Sequence, residues 1–147
     1  MKLVYIAGPY RSATPWGVLQ NINAAAEVAA RVHRAGMFAV CPHLNSAHME
    51  GVADDAHFLA GTLEMMRRCD AVILVPGWER SAGSRAEVNE AINLGLPVLY
   101  AWGDESYCHG ILCDLKSKPD GIRARQGEDT SVCPFIGGFW GAPIQRI

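Results

Sequence analysis

Asp70–Ala101, DAVILVPGWERSAGSRAEVNEAINLGLPVLYA, is the stretch that decides the fold. After Asp70 comes an unbroken apolar run, Ala71 to Val75, rich in β-branched side chains. Such a run marks a strand buried on both faces. Pro76-Gly77 ends it, and a polar loop carries Glu79, Arg80, Ser81 and Gly83. Ser84 then opens a predicted helix whose apolar positions, Ala86, Val88, Ala91, Ile92 and Leu94, suit a face packed on a sheet. Gly95 is placed to close that helix in a left-handed cap, and Pro97 to Tyr100 reads as the next strand. The stretch is a βαβ unit. In open parallel sheets ligands bind beyond the strand C-termini, so Ser81, Gly83, Ser84 and Glu87 fall where a small molecule would sit.

Working back towards the N-terminus, the same alternation continues. Lys2 to Ala7 reads as a first strand ending at Gly8-Pro9. Thr14-Pro15 signals a helix start, and Val18, Ile22, Ala25, Ala29 and Val32 form one apolar face before Gly36 stops the helix. Met37 to Cys41 reads as a second strand that Pro42-His43 ends. A polar loop and a helix from about Ala56 to Arg68 lead into Asp70. Repeated β-α alternation without hairpin signals implies a three-layer α/β sandwich with a parallel sheet of four or five strands. The expected strand order is flavodoxin-like, 2-1-3-4 with a fifth strand optional.

The chain has 147 residues, half of them hydrophobic, and a net charge of -2. That length and composition suit one domain with a real core. Residues 1–102 form the α/β unit, and residues 103–147 read as a loop-rich extension of it that covers a neighbouring subunit. No basic block is present, which argues against a nucleic-acid partner. No apolar run approaches the ~20 residues of a membrane span, and the opening reads as a strand rather than a signal peptide. Cys41 and Cys69 stand in apolar surroundings and read as core residues, so reduced thiols and a cytoplasmic setting are expected. Cys108, His109, Cys113 and Cys133 can be drawn as a zinc set, but no Cys-x2-Cys pair supports it and no metal is expected.

No triphosphate loop and no dinucleotide fingerprint occur, so no cofactor is implied. A smaller anion site remains. Ser81, Gly83 and the amides opening the Ser84 helix can cradle one phosphate, with Arg11 reaching in from the loop after the first strand. They can equally be a turn and a solvated surface charge. Ser84-x-x-Glu87 fits a capping box. Alternatively, Glu87 is a carboxylate aimed at a sugar carbon, kept ionised by the helix N-terminus and able to form a covalent glycosyl-enzyme. Tyr5 is a core aromatic or a phenol that bonds the nucleophile. His43 caps a strand end or contacts a base. Trp78 packs in the core or stacks on a base.

Taken together, Tyr5-Ile6-Ala7-Gly8-Pro9, Pro42-His43, Cys69-Asp70-Ala71-Val72 and Pro76-Gly77-Trp78-x-x-Ser81-x-Gly83-Ser84-x-x-Glu87 resemble the nucleoside 2-deoxyribosyltransferase-like superfamily over residues 1 to 101. The nearest look-alikes are its small, uncharacterised phage and bacterial domains. The resemblance implies a flavodoxin-like fold and N-glycosidic chemistry on nucleosides or nucleoside 5′-monophosphates, by hydrolysis or base transfer. Glu87 would be the nucleophile, assisted by Tyr5, with Arg11 and Ser81 on the 5′-phosphate. It also implies a homodimer or larger oligomer that completes the site.

Two departures stand out. The family usually has an aspartate eight residues before the strand-opening Asp, and Thr62 stands there. Glu64, Asp55 or His43 could substitute for it. Pro9 replaces a phosphate-contacting serine of the hydrolysing branch. A nucleotide-binding module without turnover is therefore the alternative.

Overall fold

The computed structural model describes residues 1–101. The expectations for residues 103–147, the subunit-covering extension and the Cys108/His109/Cys113/Cys133 set, lie outside the described residues. In chain order the elements are β1 (Leu3–Ala7), α1 (Pro15–Arg34), β2 (Phe38–Val40), α2 (Pro42–Asn45), α3 (Asp55–Met66), β3 (Ala71–Leu74), a 3-10 turn (Trp78–Arg80), α4 (Ala82–Asn93) and β4 (Val98–Tyr100). The strands form one parallel sheet in the order β2-β1-β3-β4, as the sequence predicts.

The two-residue alternation of β1 separates the layers. Val4 and Ile6 join Ile73 beneath Ala25, Val28, Ala29 and Val32 of α1. Tyr5 and Ala7 point the other way and join Val72 and Leu74 under Met66 of α3 and Val88 and Ala91 of α4. Because both faces are covered, β1 and β3 read as continuous apolar runs. At the far end of the sheet Asp70 accepts the Leu3 amide at 2.7 Å, and Lys2 lies 3.7 Å from the same carboxylate. Asp70 therefore ties β1 to β3, away from the strand C-termini.

Local signals set the helix ends. The Thr14 hydroxyl accepts from the Gly17 amide at 3.1 Å, with Pro15 in the first turn. Gly36 and Gly95 take φ of 77° and 67°, which a side chain disfavours. Three expectations are corrected. Pro42-His43 does not merely end β2: it begins the short α2. The helix after β3 begins at Ala82, not Ser84, with Ser81 as its N-cap. Its inward face is consequently Ser84, Glu87, Val88 and Ala91, while Ala86, Ile92 and Leu94 are exposed, Ile92 by 61%.

From β1 the chain steps outward to β2 and then returns past β1 to β3. Strand order reverses between β1 and β3, which is where an open α/β sheet leaves a crevice. The two strand ends meet closely there. The Val75 amide donates to Ala7 at 2.8 Å, and a Cβ built on Gly8 would lie 2.6 Å from the Cβ of Val75. Only glycine fits this crossing.

Candidate active site

Tyr5 on β1 and Glu87 on α4 meet above the β1–β3 crevice. The Tyr5 hydroxyl donates to Oε1 of Glu87 at 2.5 Å. The phenol is wholly buried and the glutamate is 9% exposed. A capping box would need Ser84 at the helix start, but Ser81 holds that place, and its Oγ accepts the Ser84 amide at 3.2 Å. Glu87 sits one turn deeper, and its carboxylate turns inward to Tyr5 rather than back to the helix start.

The expectation that the helix N-terminus keeps Glu87 ionised is also corrected. Helix-terminal charge acts within the first turn, and Glu87 lies past it. Burial dominates, pushing the Glu87 carboxyl up to about 7 while the Tyr5 hydrogen bond pulls it down. Tyr5 is held far above the usual phenol range by burial and then by the neighbouring carboxylate. The proton between them therefore stays on the phenol, and Glu87 is the group that changes charge near neutrality.

Ser84, one turn before Glu87, is 1% exposed, and its hydroxyl has no hydrogen-bond partner among the described residues. Gly83 is exposed at the start of α4, with nothing nearer to an added Cβ than Oγ of Ser81 at 3.8 Å. Three other candidates are directed elsewhere. Nε2 of His43 lies 3.1 Å from the carbonyls of both Gly8 and Pro9 and donates to them, which fixes the turn after β1. Burial pushes the imidazole down, towards the neutral form. Trp78 packs in the α3–α4 layer, its ring 6.3 Å from that of Tyr100. Arg11 pairs with Asp55 at the start of α3, and both side chains are exposed.

A cavity of about 220 Å³ lies between α2 and α3, and Met65 in its lining packs against the buried cluster that holds Tyr5. Asn45, Ser46, His57 and Thr62 are its polar lining, and Met49 and Met65 are part of the apolar lining. The Thr62 hydroxyl donates to the Leu59 carbonyl at 3.0 Å.

Residues 2–100 match the family described as Domain of unknown function (DUF4406). The chain belongs to that family. No curated protein matches it. Among solved structures it is similar to a 2-desoxiribosyltransferase from Leishmania mexicana, at 24% identity and a TM-score of 0.48, covering 68% of this chain and 63% of that one. The chain thus spans less than two thirds of that protein's length. No helix among the described residues of this DUF4406 domain is long and apolar enough to cross a membrane.

All the site residues above fall inside the matched DUF4406 segment. Two of them carry weight that the sequence reading did not give them. Thr62 stood out as a departure rather than as part of a cavity wall, and His57 was not considered. A detectable signal was present: His57, Gly61 and Met65 recur at i, i+4 and i+8 and so share one side of α3.

Proposed function

We propose that the protein cleaves the N-glycosidic bond of a nucleoside 5′-monophosphate, with Glu87 as nucleophile. The observation that carries this reading is the buried Tyr5–Glu87 pair, with the α2–α3 cavity reaching the same buried cluster through Met65. An acid that sheds its proton near pH 7 is ionised often enough to attack C1′, yet is poorly solvated and therefore reactive. Tyr5 orients the carboxylate. Attack by one oxygen of Glu87 expels the base and forms a glycosyl ester, which water or a second base then resolves.

The phosphate belongs at the start of α4. The first amides of a helix have no partner within it, and Ser81 already takes that of Ser84, which leaves those of Ala82 and Gly83 for an anion. Arg11 reaches the same phosphate by exchanging Asp55, its exposed partner. The reading carries with it a cytoplasmic homodimer or larger homo-oligomer. Incubation with a panel of nucleoside 5′-monophosphates, followed by chromatography of the free base, tests it. Wild type releases base, and Glu87→Ala does so about 10³-fold more slowly or worse. No release by wild type, or equal release by both, overturns it.

One observation favours a second reading, nucleotide binding without turnover. Thr62 places a hydroxyl where the resemblance expects a carboxylate. Calorimetric binding of a monophosphate with no base released over hours would select that reading.

A further inference from the structure

We infer that His57 is the proton donor to the departing base. This rests on the glycosidase reading and extends it to the other half of the reaction. Glu87 supplies the attack on C1′, but the bond to the base breaks only as fast as the base can carry the electron pair it receives. A proton delivered to the base relieves that charge.

The cavity is where the base would be. Met65 in its lining packs against the buried cluster that holds Tyr5, the partner of Glu87, so a sugar carbon facing Glu87 has its base on that side. Its volume, about 220 Å³, lies below the about 300 Å³ at which pockets for whole drug-sized ligands begin. It therefore takes a fragment such as a heterocyclic base, with sugar and phosphate outside. Methionine walls suit a flat ring, and Asn45 and Ser46 offer donors and acceptors to its edge.

Among the lining residues only His57 can hand over a proton. Asn45, Ser46 and Thr62 hydrogen-bond without giving up a proton, whereas an imidazole ring nitrogen can both give and take one. Glu87 cannot serve both ends of the bond, and Tyr5 holds its proton too tightly. Local structure leaves the His57 ring available. Its backbone amide is fixed by the Asp54 carboxylate at 2.8 Å, and the ring meets the edge of Phe58 at 5.6 Å between centroids.

The step balances as follows. A Glu87 oxygen bonds to C1′ as the C1′–N bond breaks. The electron pair passes to the base, and the proton of the His57 imidazolium moves to a base nitrogen. Neutral base departs and neutral imidazole remains. When water attacks C1′, Glu87 leaves as carboxylate and His57 takes the water proton, which restores the starting state.

The test compares two substrates on the full chain. One is the nucleoside 5′-monophosphate turned over fastest. The other is 4-nitrophenyl riboside 5-phosphate, or its deoxy form, whose leaving group needs no proton. His57→Gln is expected to slow base release by about 10²-fold or more, while the first-turnover burst of nitrophenolate, which precedes attack by water, stays within about threefold of wild type. His57→Asn should do the same, and unchanged melting midpoints show that both variants fold. Equal rates of base release in wild type and His57→Gln overturn the role of His57 and leave the glycosidase reading standing. Equal losses of base release and of the nitrophenolate burst in folded variants overturn it too. If wild type releases no base at all, the glycosidase reading falls and this inference falls with it.

Discussion

Two polar pairs of the molecule are opposites. Tyr5 and Glu87 are buried, 2.5 Å apart, and both are pushed far from their ordinary protonation behaviour. Arg11 and Asp55 are about three-quarters exposed. An exposed pair contributes only about 0–1 kcal/mol, because water and salt screen it and its long side chains lose freedom. A buried pair is fixed by the core around it and alters the chemistry of its members. The comparison teaches where reactivity and exchangeability reside. The buried pair has its protonation set by the core, and the exposed pair can exchange its partner at little cost.

The largest effect should come from removing the buried charge. The Glu87 carboxyl lies at about 7, above its ordinary 4.5. Between those values the folded chain binds more protons than the unfolded chain, so this group makes stability fall as pH rises. A shift of about 2.5 units corresponds to at most about 3 kcal/mol. Glu87→Gln removes the term. Urea unfolding at pH 5 and pH 8 should therefore show wild type losing more stability than Glu87→Gln, by up to that amount. An equal loss in both proteins would mean that the carboxylate is solvated and the pair is not buried as described.

Tyr5→Phe sharpens the same point at a smaller scale. Activity that needs ionised Glu87 should rise through about pH 7 in wild type. The Tyr5 hydrogen bond favours the ionised form, and a bond to a charged group is worth about 1.5–3 kcal/mol. Without it the rising limb of the kcat profile should move up by about one pH unit. A limb that stays in place would make Tyr5 a packing residue only.

The contrast between the pairs also explains what could be read from sequence. Strand order and layers were legible because two-faced burial leaves continuous apolar runs at Val4–Ala7 and Ala71–Val75. Glu87 and Tyr5 were legible as candidates, but their environment was not. Ser84 and Glu87 fit a capping box by spacing, and only the start of α4 at Ala82 shows that Ser81 takes the cap and turns Glu87 inward. That shift of two residues also exposes Ile92 and Leu94. That Thr62 and His57 line one cavity depends on how α3 lies against α2, which no local pattern encodes. Arg11 was legible as a loop cation, while its partner Asp55 lies 44 positions away, beyond the reach of any short-range signal.

Arg11→Ala should give the smallest effect on the fold and a selective one on function. With both side chains exposed, stability should change by no more than about 0.5 kcal/mol. The guanidinium gains charge-assisted bonds to a phosphate but gives up Asp55 to make them, so the net contribution should be about 1.4 kcal/mol, a tenfold change. It acts far from the reacting carbon, equally before and during bond breaking. KM for a nucleoside monophosphate should therefore rise about tenfold with kcat changed less than about twofold. The matching nucleoside, which has no phosphate, should be used equally well by wild type and Arg11→Ala. If both substrates suffer alike, Arg11 acts through Asp55 on the position of α3, and the two pairs are one structural unit rather than a reactive pair and an exchangeable one.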